Sequence, residues 1–229
     1  SADELVRAGD AAWARRTEPG EAANAHALYL DAAAADEGRV DGLLGAMRAI
    51  TFQLEREKDG DARGKLAGEG VQLGQWCQRR APSEPACDYR LAIALGQQAR
   101  ERSATGVDAL KHMVELLRKA SAAAPALDQA GPHRVLALVL ARAPGWPLGP
   151  GDPEAAVGEA REAVKLFPDV AENQLALGEA LEKNEQGAEA RAAYARAAAL
   201  AEAAAQASEP DAAAWRRDAR AGMERTGGS

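Results

Sequence analysis

An all-α fold is predicted: a TPR-like α-solenoid of about five helical hairpins plus a C-terminal capping helix, built of tetratricopeptide-type repeats. Three observations predict it. Alanine is abundant while aromatic residues make up only 4% of the 229-residue chain; an Ala and Leu core lets helices approach closely, whereas sandwiches and barrels draw on β-branched and aromatic residues. A pattern of small and large residues recurs along the chain, as in arrays of stacked hairpins. Helix-start signals agree with it: Asp152-Pro153-Glu154 and Ser208-Glu209-Pro210-Asp211 each place a capping side chain near a proline, with acidic residues in the first turn. One domain over 1–229 is expected, with degenerate hairpins over 1–82, better-defined repeats over 83–207 and a capping helix over 208–225.

Taken in order, the first hairpin pairs 5–16 with 22–35 and carries Ala25, Tyr29 and Ala32 at repeat-like spacing. Leu44-Gly45 opens the second, which Cys77 and Pro82 close across a long charged connection over 55–63. Leu95-Gly96 opens the third, with Leu117, Ala120 and Pro125 in its second helix and about five extra residues around Ser103 to Gly106. The fourth has Leu136-Ala137 and Leu140, then Ala156, Ala160, Ala163 and Pro168. The fifth is the clearest: Leu177-Gly178, Leu181, Ala190, Tyr194 and Ala197 stand at the offsets of a 34-residue tetratricopeptide repeat. Small residues there permit close contact of the two helices, and large ones fill the groove between repeats. The Ala-rich stretch 188–207 is read as helix, with Leu200 and Tyr194 marking its face. Trp13 and Trp215 are expected to seal the two ends, and Trp76 to lie in the core.

In this register Ala137 and Ala156 are 19 apart where the pattern places about 12. The segment 144–152, Pro-Gly-Trp-Pro-Leu-Gly-Pro-Gly-Asp, is therefore an insertion of about seven residues within one hairpin. Trp146 in it either folds back over the apolar end of its own hairpin or anchors a partner, since loops on rigid scaffolds carry function. Leu148 shares the loop. His133 and Arg134 follow Pro132 in a first helical turn; they serve either helix start and inter-repeat bonding or polar contact at the mouth of a concave surface. Trp146, His133, Arg134 and Leu148 are the candidate partner- or ligand-binding residues.

Other chemistry is not foreseen. Net charge is −7, and no Lys/Arg stripe could neutralise a run of phosphates, so nucleic acid is not an expected partner. The longest apolar stretches fall short of the roughly 20 residues that span a bilayer. His26, His112 and His133 sit in three different hairpins, and no His-Glu-x-x-His, phosphate-binding or Gly-x-Ser-x-Gly motif occurs. No catalytic residue, metal site or cofactor is expected, and the chain reads as a non-enzyme. Cys77 and Cys87, ten apart, either staple a helix turn as a disulfide or are two buried thiols.

Tyr89-Arg90-Leu91-Ala92-Ile93-Ala94-Leu95-Gly96, Ala130-Gly131-Pro132-His133-Arg134, the loop from Ala143 to Asp152 and Asn173-Gln174-Leu175-Ala176-Leu177 together resemble the T-component (TatT-like) family of TRAP transporters. The resemblance is good over 76–200 and looser before it. It implies a tetratricopeptide-like periplasmic or outer-membrane-anchored lipoprotein, with a lipid anchor once preceding Ser1, that binds a periplasmic solute-binding protein; without it a cytoplasmic location would stand. It also implies an alternative role as carrier of a small hydrophobic ligand in an apolar channel between the helices.

Overall fold

The structure, a computed structural model, describes residues 1–101 and 106–227, apart from the Val107 side chain. Eleven helices run through the described residues: α1 (Ala2–Ala14), α2 (Glu21–Ala35), α3 (Asp41–Arg56), α4 (Gly60–Arg80), α5 (Pro85–Glu101), α6 (Gly106–Ala123), α7 (Gly131–Arg142), α8 (Pro153–Leu166), α9 (Ala171–Lys183), α10 (Gly187–Gln206) and α11 (Ala212–Arg225). They belong to two compact units, Ser1–Leu116 and Leu117–Ser229. In the first, α1 to α5 each pack on the next, and α1 meets α3 as α3 meets α5. In the second, α7 to α11 do the same, with α7 against α9 and α9 against α11. Hairpins stacked through their first helices are what the repeat pattern predicts.

One device holds this stacking and occurs once in each unit. The Tyr29 ring on α2 lies against two glycines, Gly9 of α1 and Gly45 of α3, where an added Cβ would come within 2.7 and 2.5 Å of the ring. Its hydroxyl donates to Asp10 Oδ1 at 2.6 Å and accepts from Arg48 Nη2 at 2.8 Å. Burial and the bond to Asp10 push the Tyr29 phenol up to about 12. In the second unit Tyr194 of α10 meets Gly178 of α9 and Gly222 of α11, where a Cβ would come within 2.7 and 2.5 Å. It donates to Glu182 Oε2 at 2.7 Å and accepts from Arg225 Nη2, which also bonds the same carboxylate. A large ring can enter only because both partner helices lack a side chain at that point. Leu-Gly in the repeat pattern thus has a steric cause.

The first unit adds stacking between its own helices. Trp13 meets Phe52 edge-on with ring centroids 5.6 Å apart, and the Arg48 guanidinium sits 4.6 Å from the Trp13 centroid. Cys77 of α4 and Cys87 of α5 are bonded, with Cα atoms 5.3 Å apart, and the next residue on each helix repeats the link through a 2.7 Å bond from Gln78 to Asp88.

Three expectations need correction. The connection over 55–63 is mostly helix: α3 runs to Arg56 because Phe52 and Leu54 are buried, and α4 starts at Gly60 under an Asp59 cap on Ala62 N–H. The charges seen there do local work, Arg63 donating to the Leu54 and Glu57 carbonyls and to Glu101. Trp76 is 48% exposed rather than core; the buried stripe of α4 passes through Leu73, Gly74 and Cys77 and leaves it outside. Asp152 caps α8 through Ala155 N–H, but no side chain caps α11, because Ser208 takes a left-handed φ of 62° and the Asp211 side chain makes no bond to the first turn. The extra residues foreseen around Ser103 to Gly106 lie, up to Thr105, outside the described residues.

Candidate functional site

Between α7 and α8 the chain leaves the helical pattern and forms a closed loop. Asp152 N–H donates to the Leu140 carbonyl at 2.9 Å and Gly151 N–H to Pro144 at 2.8 Å, so the neck is bonded on both sides. Gly145 and Gly151 face each other as an isolated bridge. The turn is closed again by Leu148 and Gly149 N–H groups donating to Gly145 O at 3.0 and 3.1 Å. Glycine is required at Gly149 and Gly151, where a Cβ would lie 2.6 and 2.8 Å from the Pro144 carbonyl. At the base, Arg142 forks onto Glu179 of α9 at 2.5 and 2.7 Å, and that carboxylate raises the Arg142 guanidinium above its ordinary value.

This backbone carries its apolar side chains outward. Trp146 is 90% exposed and Leu148 is 70% exposed, and no charged residue occurs between Arg142 and Asp152. Trp146 therefore does not cover its own hairpin. Removing an indole of about 200 Å² from water favours a complex by roughly 5 kcal/mol before association costs.

His133 and Arg134 stand at the other end of α7, roughly 14 Å along the helix axis from Arg142. His133 Nδ1 lies 2.6 Å from Glu159 Oε2 and so ties α7 to α8. Arg134 is buried and donates to Asn173 Oδ1 at 2.8 Å and to the carbonyl of Gln129 at 3.2 Å. Asn173, fully buried on α9, donates in turn to the carbonyls of Gln129, Ala163 and Phe167 at 3.1, 3.2 and 3.1 Å. Together they hold the connection before α7, where Asp128, Gln129 and Ala130 all have positive φ, between 49° and 65°. Three successive non-glycine residues in that region need such support. The structure therefore groups Trp146 with Leu148 at one end of α7, and His133 with Arg134 in a bonding network at the other.

Two participants were not among the candidate residues named from the sequence. Glu159 looks like one of many surface carboxylates, and only the fold brings it to His133, 26 residues away. Asn173 lies inside the resemblance motif, yet its four partners come from separate segments. Beside it, burial raises the Glu172 carboxyl above its ordinary range; Arg134 pulls it down, while Asp128, Asp211 and Glu209 push it up again. A carboxyl raised on folding contributes stability that is full below its unfolded value and is lost as pH rises through the folded one. Glu172→Gln should then raise the melting temperature at about pH 7 and leave it unchanged at about pH 4. Thermal unfolding at both pH values checks this, and an equal shift at both would make it a packing effect.

Among the described residues no group of three His, Cys, Asp or Glu could hold a metal ion, and no helix is long and apolar enough to cross a membrane. No family model and no curated protein matches the chain. Solved structures do match. TTC0263 of Thermus thermophilus, a thermophilic TPR protein, has a TM-score of 0.69 at 20% identity, covering 97% of this chain and 99% of that one. PilF of Pseudomonas aeruginosa has a TM-score of 0.58 at 16% identity over 100% and 93%. YrrB, a TPR protein with an unusual peptide-binding site, has a TM-score of 0.53 at 14% identity over 87% and 86%. The fold is an all-α TPR-like helical repeat.

Proposed function

We propose that the chain is a non-enzymatic scaffold that captures a protein partner through the 143–152 loop, with Trp146 and Leu148 as the anchoring contact. The carrying observation is an indole at 90% exposure on a loop whose backbone is bonded shut. A rigid apolar tip loses little entropy on docking, and buried aromatic anchors dominate interface energies. The TPR-like fold and the peptide-binding site named for YrrB support a protein as partner. The net charge of −7 favours a protein pocket over an anionic lipid surface.

The finer reading follows the sequence resemblance. Ala130-Gly131-Pro132-His133-Arg134 and the loop from Ala143 to Asp152 favour a periplasmic solute-binding protein of a TRAP transporter as that partner. In the double variant Trp146→Ala, Leu148→Ala the melting temperature should stay within about 1 °C of wild type, since neither side chain supports the core. Capture of a solute-binding protein from a periplasmic extract, read by mass spectrometry, should fall by tenfold or more. Equal capture by both proteins would refute the loop's role. Capture of other proteins only, dependent on Trp146, would retain the scaffold and reject the TRAP partner.

A further inference from the structure

We infer that Glu179 is a positioning residue for the 143–152 loop, fixing through Arg142 the direction in which Trp146 and Leu148 project; this rests on the reading of that loop as the anchor for a partner.

The tip itself does not set that direction. Trp146 is 90% exposed and Leu148 70%, so neither side chain is held against the body of the protein. The neck bonds from Asp152 to Leu140 and from Gly151 to Pro144 join the loop to its own hairpin and to itself. They turn the tip outward but do not tie it to the next hairpin. Among the described residues, the fork from Arg142 onto Glu179, at 2.5 and 2.7 Å, is the one hydrogen-bonded link from residues 142–152 to α9, α10 or α11.

Polar bonds thus pin α7 to α9 at both ends. At its start, buried Arg134 bonds fully buried Asn173, and that pair lies within the protein. Two turns on, the second pair stands at the surface, with the Arg142 side chain 60% exposed. A pair so exposed adds little stability, whereas two parallel bonds from a planar guanidinium fix an orientation. The platform is rigid: Glu179 follows Gly178, where an added Cβ would come within 2.7 Å of the Tyr194 ring. The carboxylate that receives Arg142 therefore sits beside the tightest contact of α9. A tip already aimed at its site loses less freedom on docking than one that swings.

The test uses the whole chain, labelled for NMR. In the wild type, residual dipolar couplings of the Gly145, Trp146, Leu148 and Gly149 amides should fit the frame of α9 and α10. In Glu179→Ala they should shrink about twofold or more, as a tip sampling several directions requires, while those of α9 and α10 stay unchanged. The swap Arg142→Glu, Glu179→Arg, which makes an ion pair again, should restore them. Capture of a solute-binding protein from a periplasmic extract should fall about fivefold in Glu179→Ala and recover in the swap. Wild-type couplings in Glu179→Ala would overturn the inference. So would undiminished capture by Glu179→Ala where the variant Trp146→Ala, Leu148→Ala has lost it. Undiminished capture by both would refute the loop's role instead, and the couplings would still decide whether Glu179 directs the tip.

Discussion

Tyr194→Ala is expected to lower stability by about 3–5 kcal/mol, the range for removing a large buried ring. The ring is the only side chain filling the space between Gly178 and Gly222 among the atoms nearest those two positions, and neither glycine can extend to refill it. Its loss also leaves Glu182 and Arg225 without the hydroxyl between them. Tyr194→Phe separates the two effects: the ring stays, Arg225 still bonds Glu182 directly at 2.7 Å, and the cost should be near 1 kcal/mol. Gly222→Ala tests the same contact from the other side, since its Cβ would stand 2.5 Å from three ring atoms, an overpacking of about 1–3 kcal/mol. Urea unfolding followed by circular dichroism measures all three. A Tyr194→Ala protein as stable as Tyr194→Phe would show that the ring is not what joins α9, α10 and α11.

The second large effect is expected at Asn173. Asn173→Asp keeps the shape and the oxygen that Arg134 bonds, and it adds an opposite charge beside that guanidinium. If the pairing with Arg134 were the purpose of the residue, the variant would be neutral or more stable. The amide nitrogen, however, donates to three carbonyls, at Gln129, Ala163 and Phe167. Replacing it by a carboxylate oxygen turns these bonds into buried repulsions, and each unsatisfied group costs about 1–3 kcal/mol. The expected loss is about 3 kcal/mol or more at neutral pH, diminishing in acid as the new carboxyl takes up a proton. Unfolding in urea at two pH values reads both the size and the sign. The left-handed run from Asp128 to Ala130 should loosen with it, seen as faster hydrogen exchange at Gly131, whose N–H bonds Leu127 O at 2.9 Å.

Much of this fold was legible beforehand because tetratricopeptide positions have a local steric cause. Leu177-Gly178, Ala190, Tyr194 and Ala197 are all set by how closely two adjacent helices approach, and spacing along the chain encodes that approach directly. The insertion at 144–152 was legible for the same reason, as a departure from an expected interval. Where boundaries were misjudged, the competing force was tertiary. Charge over 55–63 suggested a loop, but buried Phe52 and Leu54 carry α3 to Arg56, α4 begins at Gly60, and Arg63 bonds the Leu54 and Glu57 carbonyls between them. Trp76 is expected in the core, but the rotation of α4, which buries Leu73, Gly74 and Cys77, places it at the surface.

The candidate site divides in the same way. Trp146 and Leu148 could be named from the sequence, since a Pro- and Gly-rich insertion carrying an indole is informative in any fold, but their exposure could not. That depended on the neck bonds from Asp152 to Leu140 and Gly151 to Pro144, which aim the tip away from the hairpin. For His133 and Arg134 the sequence left two roles open, and partners 26 and 39 residues away show the bonding each makes. The sequence by itself determined the helical class, the hairpin register and the place of the insertion, because these rest on spacings within one or two helices. Only the tertiary structure decided which polar groups meet and which apolar groups stay in water, because those depend on segments distant in the chain meeting at ångström separations.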